Sequence, residues 1–343
     1  MKLGIVFGSG SARGWAHIGV MNELSKMGIT PHVVTGTSIG ALVGAAVASN
    51  RLTELETWVR TLNNWQVLGL LDWGVGRGGL INGEKVFEKV AETIGDMQFE
   101  DLALPFGAVA TDLYTGREAW LTQGTVKTAL RSSCAIPGIL APAMFDGRWM
   151  VDGATVNPIP VSLCRALGAD FVIAIDLNSE KSNMIAKTQK PYFPDDKRRQ
   201  PTPPEVRVVT DQEELAAQSP DPKEVDKTRF GNILVKGRQY LQQVAEKRQY
   251  IKDNKVKTPD LFAVMSGCID IMQDRITRSR LAGEPPDVVI QPKLGRYGIM
   301  EFDKASELIE EGERCVAAYR NILEYKLEHF IDPEATDLYA NGN

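Results

Sequence analysis

Ser38 stands in the pentapeptide Gly36–Gly40, which matches the pattern G-x-S-x-G. At a sharp turn from a strand into a helix, this pattern presents a strained serine whose hydroxyl can attack a carbonyl carbon. The small residues Gly36 and Gly40 let the backbone pass close by. A glycine-rich helix start has the same letters, so the pentapeptide predicts a nucleophile only in its strand–turn–helix context.

A base must accompany such a serine, because an alcohol is a poor nucleophile at neutral pH. In hydrolases with this turn, the base is usually a histidine that follows the serine in the chain. Only His329 follows Ser38, and it lies in a polar tail. His32 comes too early to fold back easily, and His17 lies about one turn into the first predicted helix. The sequence therefore favours a base of another type.

The candidate base is Asp152, which ends the apolar run 149–151 and precedes Gly153 and Ala154. This order places one carboxylate at a strand end, beside a glycine that permits close approach. Burial in a water-poor cleft would raise the pKa of the carboxyl and improve its affinity for a proton. Taken alone, an Asp-Gly pair is more typical of a turn.

A third element is the glycine-serine loop 8–14, between the first predicted strand and the first helix. Successive small residues at a helix start expose backbone N–H groups, an arrangement that binds anions. In a hydrolase such donors stabilise the oxyanion of the tetrahedral intermediate, at about 3–4 kcal/mol for each strong donor. The candidate donors are the amides of Gly8, Gly10, Ser11 and Ala12.

Other chemistries fit these residues poorly. The dinucleotide fingerprint G-x-G-x-x-G fails because Gly14 stands one residue late, and the second predicted strand lacks the expected acidic residue. A P-loop needs G-K-S/T, which is absent. No His, Cys and Asp cluster has the spacing of metal ligands. The net charge of −5 gives no support for nucleic-acid binding. The sequence therefore predicts no metal site and no nucleic-acid partner.

The elements around these residues alternate between strands and helices over residues 1–180. Strands are predicted at 3–7, 32–35, 106–111, 118–122, 171–176 and 287–291. Helices are predicted at 14–27, 39–49, 84–94, 125–133, 160–167, 231–252, 259–282 and 304–327. Strands spaced by helices predict an α/β fold with a largely parallel sheet covered on both faces. Loop 8–14 and Ser38 then meet at the carboxyl edge of the sheet, where active sites of such folds gather.

One segment differs in composition from the rest of the chain. Residues from about 178 to 230 are rich in Pro, Lys and Asp and poor in large apolar residues, which predicts a mobile insertion. It falls in a net-basic stretch, because residues 181–260 carry 17 Lys and Arg against 12 Asp and Glu, a net charge of +5. We expect a single domain over 1–343, with this insertion and a C-terminal helical part from about 231.

The remaining composition predicts a cytoplasmic protein. No apolar run reaches the roughly 18 residues of a membrane-spanning helix. The N-terminus lacks the apolar stretch of a secretory signal. The four cysteines lie far apart, as is typical of reduced thiols in a cytosolic protein.

Taken in order, the glycine-serine loop, G-x-S-x-G and Asp-Gly-Ala resemble the patatin-like phospholipase family. The likeness is greatest to its bacterial branch related to neuropathy target esterase (RssA-like proteins). Further segments carry the resemblance: 14–20 (GWAHIGV), 110–116 (ATDLYTG), 134–138 (CAIPG), 151–160 (VDGATVNPIP) and 282–292 (AGEPPDVVIQP). The resemblance is dense over residues 1–176.

The resemblance implies a three-layer α/β/α sandwich and a Ser-Asp dyad that hydrolyses lipid acyl esters without metal or organic cofactor. Mapped here, Ser38 is the nucleophile and Asp152 its partner. The family's loop commonly reads G-G-G-x-R/K-G, whereas Ser9 and Ser11 interrupt the glycines here. This departure leaves open which amides form the oxyanion hole. Arg13 is expected to anchor the loop rather than to contact substrate.

The expected substrates are lysophospholipids, phospholipids or other fatty-acyl esters, reached by peripheral contact with the inner membrane surface. Two alternatives stay open. One is acyl transfer to a carrier thiol or another acceptor, although such enzymes normally pair the serine with a histidine. The other is a non-catalytic regulatory protein that retains the fold. The oligomeric state is not predicted.

Overall fold

The computed structural model describes residues 2–72, 74, 78–179 and 261–331. Its strands are β1 (Leu3–Phe7), β2 (Val33–Thr37), β3 (Gly79–Ile81), β4 (Phe106–Asp112), β5 (Glu118–Leu121), β6 (Gly138–Leu140), β7 (Ala143–Phe145), β8 (Arg148–Asp152), β9 (Phe171–Ile175) and β10 (Val288–Ile290). Its α-helices are α1 (Ala16–Lys26), α2 (Ile39–Ala48), α3 (Leu52–Thr61), α4 (Asn64–Leu70), α5 (Glu84–Ile94), α6 (Val126–Ser133), α7 (Val161–Ala166), α8 (Leu261–Gly283) and α9 (Ala305–Ile331).

The central sheet is mostly parallel. Strands β10, β9, β1, β2 and β4 pair in that order, all in parallel, whereas β5 and β8 pair with β4 in the antiparallel sense. The inner strands β1 and β9 are buried along their whole length. Continuous apolar runs of this kind are typical of strands covered on both faces.

Helices cover both faces of the sheet, which confirms the predicted α/β/α architecture. Successive residues of a strand point to opposite faces, and β1 shows this directly. Ile5 and Phe7 belong to a large core that includes residues of α1, α2, α5, α6 and α9. Val6 belongs to a second core with Val161 and Cys164 of α7. The sheet is therefore the middle of three layers.

The sequence placed most helices and parallel strands within a few residues, and it missed several short elements. Helices α3 and α4 and strands β3, β6 and β7 were not predicted. The helix expected from residue 14 begins as a 3-10 turn over Ser11–Trp15 and becomes α-helical at Ala16. The insertion expected at 178–230 lies outside the described residues from residue 180 onward, as does the predicted helix 231–252. In the described part of the chain, no helix has the length and apolarity needed to cross a membrane.

Strand β4 aligns two strands that carry the predicted site. Residues Val109 and Ala110 of β4 both pair with β5 on one edge. On the other edge, Thr37 of β2 pairs with Val109, and Asp152 of β8 pairs with Ala110. Strands β2 and β8 therefore lie end to end along the same edge of β4. Their carboxyl ends meet at consecutive positions, which brings the residue after Thr37 next to Asp152.

Candidate active site

Ser38 forms the turn between β2 and α2, as the pentapeptide predicts. Its backbone has φ 57° and ψ −127°, in the region that side chains with a Cβ rarely adopt. Its N–H donates to the Oγ of Ser133 at 2.9 Å, and Ser133 in turn donates to the carbonyl of Val109 at 2.6 Å. A Cβ on Gly40 would lie 2.2 Å from the carbonyl oxygen of Phe7, so only glycine fits at the start of α2. The strained turn is thus held by its neighbours.

Asp152 is hydrogen-bonded to Ser38. The Oγ of Ser38 donates to Oδ2 of Asp152 at 2.6 Å, and both residues are buried. The other carboxylate oxygen, Oδ1, accepts the N–H of Ala154 at 2.8 Å. Burial raises the pKa of Asp152 from 3.8 to about 6, against the opposing effect of these two hydrogen bonds. At neutral pH the carboxylate is ionised, and its affinity for a proton exceeds that of an exposed aspartate.

Gly153 is needed for close approach to β4. A Cβ at this position would lie 2.2 Å from the carbonyl oxygen of Val109, a contact with backbone that no side-chain rotation relieves. The Asp-Gly-Ala segment therefore turns tightly beside the strand that aligns Ser38 with Asp152.

The loop amides divide into two groups. The N–H of Gly8 donates to the carbonyl of Ile175 at 3.1 Å, and the N–H of Ala12 donates to the carbonyl of Ile299 at 3.0 Å. These two bonds correct the sequence-based set of oxyanion donors, because the two amides are already committed to backbone acceptors. The amides of Gly10 and Ser11 form no hydrogen bond with another described residue, and both residues line one cleft with Ser38 and Asp152.

Arg13 lies buried behind the loop. Its Nε donates to the carbonyl of Tyr297 at 3.1 Å, and one terminal nitrogen donates to Oδ1 of Asn178, also at 3.1 Å. The other terminal nitrogen lies 3.6 Å from Oδ2 of Asp270 on α8. Asn178 donates to the carbonyl of Ser9 at 3.0 Å. The guanidinium therefore joins the loop to three separate parts of the chain.

Two histidines have other hydrogen-bond partners. His17 is fully buried, and its Nε2–H donates to the carbonyl of Gly8 at 2.8 Å. Burial lowers the pKa of His17 from 6.5 to about 4, so the ring is neutral at pH 7. His32 accepts the N–H of Leu3 at its Nδ1, 3.2 Å away. The side chain of His329 lies outside the described residues.

These buried groups predict an unusual acid response of the Asp152→Asn variant. As the pH falls from 6.5 to 4, the unfolded chain protonates His17 while the folded protein resists, so stability falls. Over much of this range the folded protein takes up a proton at Asp152 before the unfolded chain does, so stability rises. The two effects offset each other in the wild type. We expect Asp152→Asn, measured by urea unfolding, to lose about 2 kcal/mol more than wild type between these pH values; equal losses would contradict the opposed titrations.

An apolar cavity of about 130 Å³ opens beside Ser38. Its wall is formed almost wholly by apolar side chains from α2, α3, α4, α5 and the segment 134–140, including Leu42, Trp58, Leu62, Val67, Leu70, Val86, Phe87, Ile136 and Leu140. A second, smaller cleft contains Ser38 together with Gly10 and Asp152, and its lining combines Ser9, Asn178, Asp270 and Gln273 with three isoleucines. Ser38 therefore borders both an apolar cavity and a cleft that carries hydrogen-bonding side chains.

Three supporting residues were not identified from the sequence. Ser133 accepts the Ser38 amide, Asn178 holds the carbonyl of Ser9, and His17 holds the carbonyl of Gly8. Ser133 directly precedes a segment that carries the family resemblance, and this proximity was the only signal for it. Asn178 lies in a short polar stretch after β9, and nothing in its sequence surroundings points to the loop.

Comparison with known proteins agrees with the fold and the motifs. The family described as patatin-like phospholipase matches residues 5–165. An uncharacterized NTE family protein of Mycobacterium bovis is 31% identical over 328 residues, which cover 91% of this chain and 89% of that protein. Neuropathy target esterase sws of Drosophila melanogaster is 34% identical over 186 residues, 52% of this chain and 13% of that protein. Patatin-like phospholipase domain-containing protein 7 of Rattus norvegicus is 31% identical over 184 residues, 52% of this chain and 14% of that protein. The chain therefore belongs to the patatin-like phospholipase family, a family of lipid ester hydrolases, and its relatives include NTE family proteins.

Proposed function

We propose that this protein hydrolyses fatty-acyl esters of lipids through a dyad of Ser38 and Asp152. The observation that carries the proposal is the 2.6 Å hydrogen bond from a positive-φ serine to a buried carboxylate. The base has a pKa of about 6, close enough to neutrality to take a proton while still ionised at pH 7. No histidine with a described side chain approaches Ser38 in this way.

The reaction proceeds through an acyl-enzyme. The Oγ of Ser38 attacks the ester carbonyl carbon as its proton passes to Oδ2 of Asp152. The amides of Gly10 and Ser11 donate to the oxyanion, and Asp152 returns the proton to the alcohol as the ester bond breaks. Water then attacks the acyl-enzyme, its proton passes to Asp152, and the fatty acid leaves as the Ser38 hydroxyl is restored.

The two compartments beside Ser38 support a substrate with an apolar acyl group and a polar leaving group. The apolar cavity gives an acyl chain a dry path away from the nucleophile, since few polar groups line it. In the second cleft, the side chains of Asn178, Asp270 and Gln273 can form hydrogen bonds with a polar alcohol. Lysophospholipids and phospholipids combine both features.

A fluorophosphonate carrying a long alkyl chain tests the nucleophile, because it reacts covalently with an activated serine. We expect it to label wild type and to leave Ser38→Ala unlabelled. Ser49→Ala is the matched control, since Ser49 lies at the end of α2 and donates to Ala45 of the same helix. Labelling of Ser38→Ala at the wild-type level would reject the assignment, and an unlabelled wild type would favour a non-catalytic protein.

Release of free fatty acid from a panel of lysophospholipids and phospholipids, followed by mass spectrometry, then identifies the substrate. Addition of thiol or alcohol acceptors in the same assay separates hydrolysis from acyl transfer. Acyl transfer in excess of fatty-acid release would assign the protein to the transferases.

A further inference from the structure

Helix α4 is an unusual surface element. It has seven residues, NWQVLGL, without a single charged side chain, and none of its residues is buried. Asn63 and Gln66 form a reciprocal capping box that fixes its first turn. A surface helix normally carries charged residues on its outer face, so an uncharged outer face requires an explanation.

Apolar side chains lie on both faces of this helix. Val67 and Leu70, three residues apart, line the cavity that contains Ser38. Trp65 and Leu68, also three residues apart, lie about half a turn away on the opposite face. Trp65 is 82% exposed and Leu68 is 50% exposed. The helix is therefore apolar both toward the cavity and toward solvent.

The inner side of the helix is closed by a neighbouring segment. The 3-10 turn Phe302–Lys304 contacts α4, and Phe302 lines the same cavity. We call Trp65 and Leu68, which are neighbours on the solvent side of α4, the outer apolar face. Neighbouring exposed apolar side chains of this kind mark interaction sites rather than ordinary surface.

We propose that the outer apolar face docks on the surface of a lipid bilayer or micelle. The proposal rests on the proposed function, in which the substrate is a lipid ester. A fatty-acyl chain must leave its aggregate and enter the cavity beside Ser38, and α4 forms part of the wall between that cavity and the exterior. Apolar surface on both sides of this wall gives the fatty-acyl chain a path that does not cross water.

The composition of α4 favours lipid over a protein partner or an anionic surface. An exposed Trp is suited to the membrane interface, where its ring meets the acyl region and its N–H meets water. The helix offers no charge that would select a complementary partner or anionic headgroups. Docking therefore depends on apolar contact and is expected on vesicles of phosphatidylcholine, a lipid without net charge.

Sedimentation with phosphatidylcholine vesicles tests the proposal directly. We expect Trp65→Gln/Leu68→Gln to bind these vesicles about 10²-fold more weakly than wild type, about tenfold for each apolar side chain removed. Hydrolysis of a short-chain, fully dissolved p-nitrophenyl ester should stay unchanged, because neither residue lines the cavity or the cleft. Hydrolysis of vesicle-borne substrate should fall in parallel with binding.

Ile322→Gln is the matched control for Leu68→Gln, because Ile322 on α9 is also 50% exposed. It should bind vesicles as wild type does.

Quenching of tryptophan fluorescence by brominated phosphatidylcholine should be largely lost in Trp65→Phe. Wild-type protein that stays off the vesicles, or an equal loss in Ile322→Gln, would overturn the proposal. A wild-type dimer that dissociates in the double variant would also overturn it, by assigning the face to a second copy.

Binding and catalysis are separate readouts. If no lipid ester is hydrolysed, the vesicle assay still decides whether the outer apolar face binds lipid. If esters are hydrolysed but the double variant binds vesicles as wild type does, the docking proposal fails and the proposed function stands.

Discussion

Substitution of Asp152 by asparagine is expected to lower lipid-ester turnover by about 10³–10⁴-fold while the protein remains folded. Asparagine keeps the shape of the side chain and can still accept the Ala154 amide, but it cannot take the proton from Ser38. Steady-state hydrolysis of a lysophospholipid measures the loss. Turnover within a few-fold of wild type would remove Asp152 as the base.

The pH profile gives a second readout of the same residue. The proposed base can accept a proton only when it is ionised, and burial raises the pKa of Asp152 to about 6. Wild-type kcat/KM should therefore decline as the pH falls below about 6, whereas an exposed aspartate would stay active to about pH 4. Asp112→Asn is the control: this buried carboxylate accepts the turn amides of Tyr114 and Thr115. Asp112→Asn should show the same decline of kcat/KM below about pH 6. The residual activity of Asp152→Asn should show no such decline.

Substitution of Arg13 by lysine is expected to have the second-largest effect. The guanidinium donates to Tyr297 and Asn178 and lies near Asp270, and one ammonium group cannot reach all three positions. We expect the free energy of unfolding to fall by about 2–4 kcal/mol, because buried acceptors lose their donors. We also expect kcat to fall about 10²-fold with little change in KM, since the loop that carries the Gly10 and Ser11 amides loses its support.

Arg51→Lys is the matched control for this substitution. Arg51 is exposed and pairs with Glu54 at the surface, so its replacement should change stability by less than about 0.5 kcal/mol and leave kcat intact. Stability is measured by urea unfolding and kcat with a dissolved ester. A destabilised Arg13→Lys protein with normal kcat would show that the arginine is purely structural.

The sequence predicted those parts of the molecule that depend on local pattern. The continuous apolar runs of β1 and β9 predicted buried parallel strands, and the pentapeptide around Ser38 predicted the strand-to-helix turn. Asp152 was identified as a candidate because the histidines were poorly placed. Its distance from Ser38 could not be derived, because it depends on how β2 and β8 align along β4.

The remaining differences have physical causes that a local pattern does not contain. Gly8 and Gly10 are alike in sequence, and only the positions of distant carbonyls such as that of Ile175 decide which amide is committed. Helix α4 escaped prediction because it is short, contains Gly69 and lacks a polar face, so it shows no amphipathic period. Ser133 and Asn178 act through contacts made only in the folded chain.

Because β2 and β8 lie end to end along β4, Ser38 and Asp152 can form the proposed dyad in only one register of β8. Side chains alternate between the two faces of a strand, so a slip of β8 by one residue would turn the Asp152 carboxylate away and shift its backbone by about 3.3 Å. No intermediate register leaves the carboxylate partly in place. The spacing of the proposed nucleophile and base is therefore determined by one strand, because both β2 and β8 pair with β4.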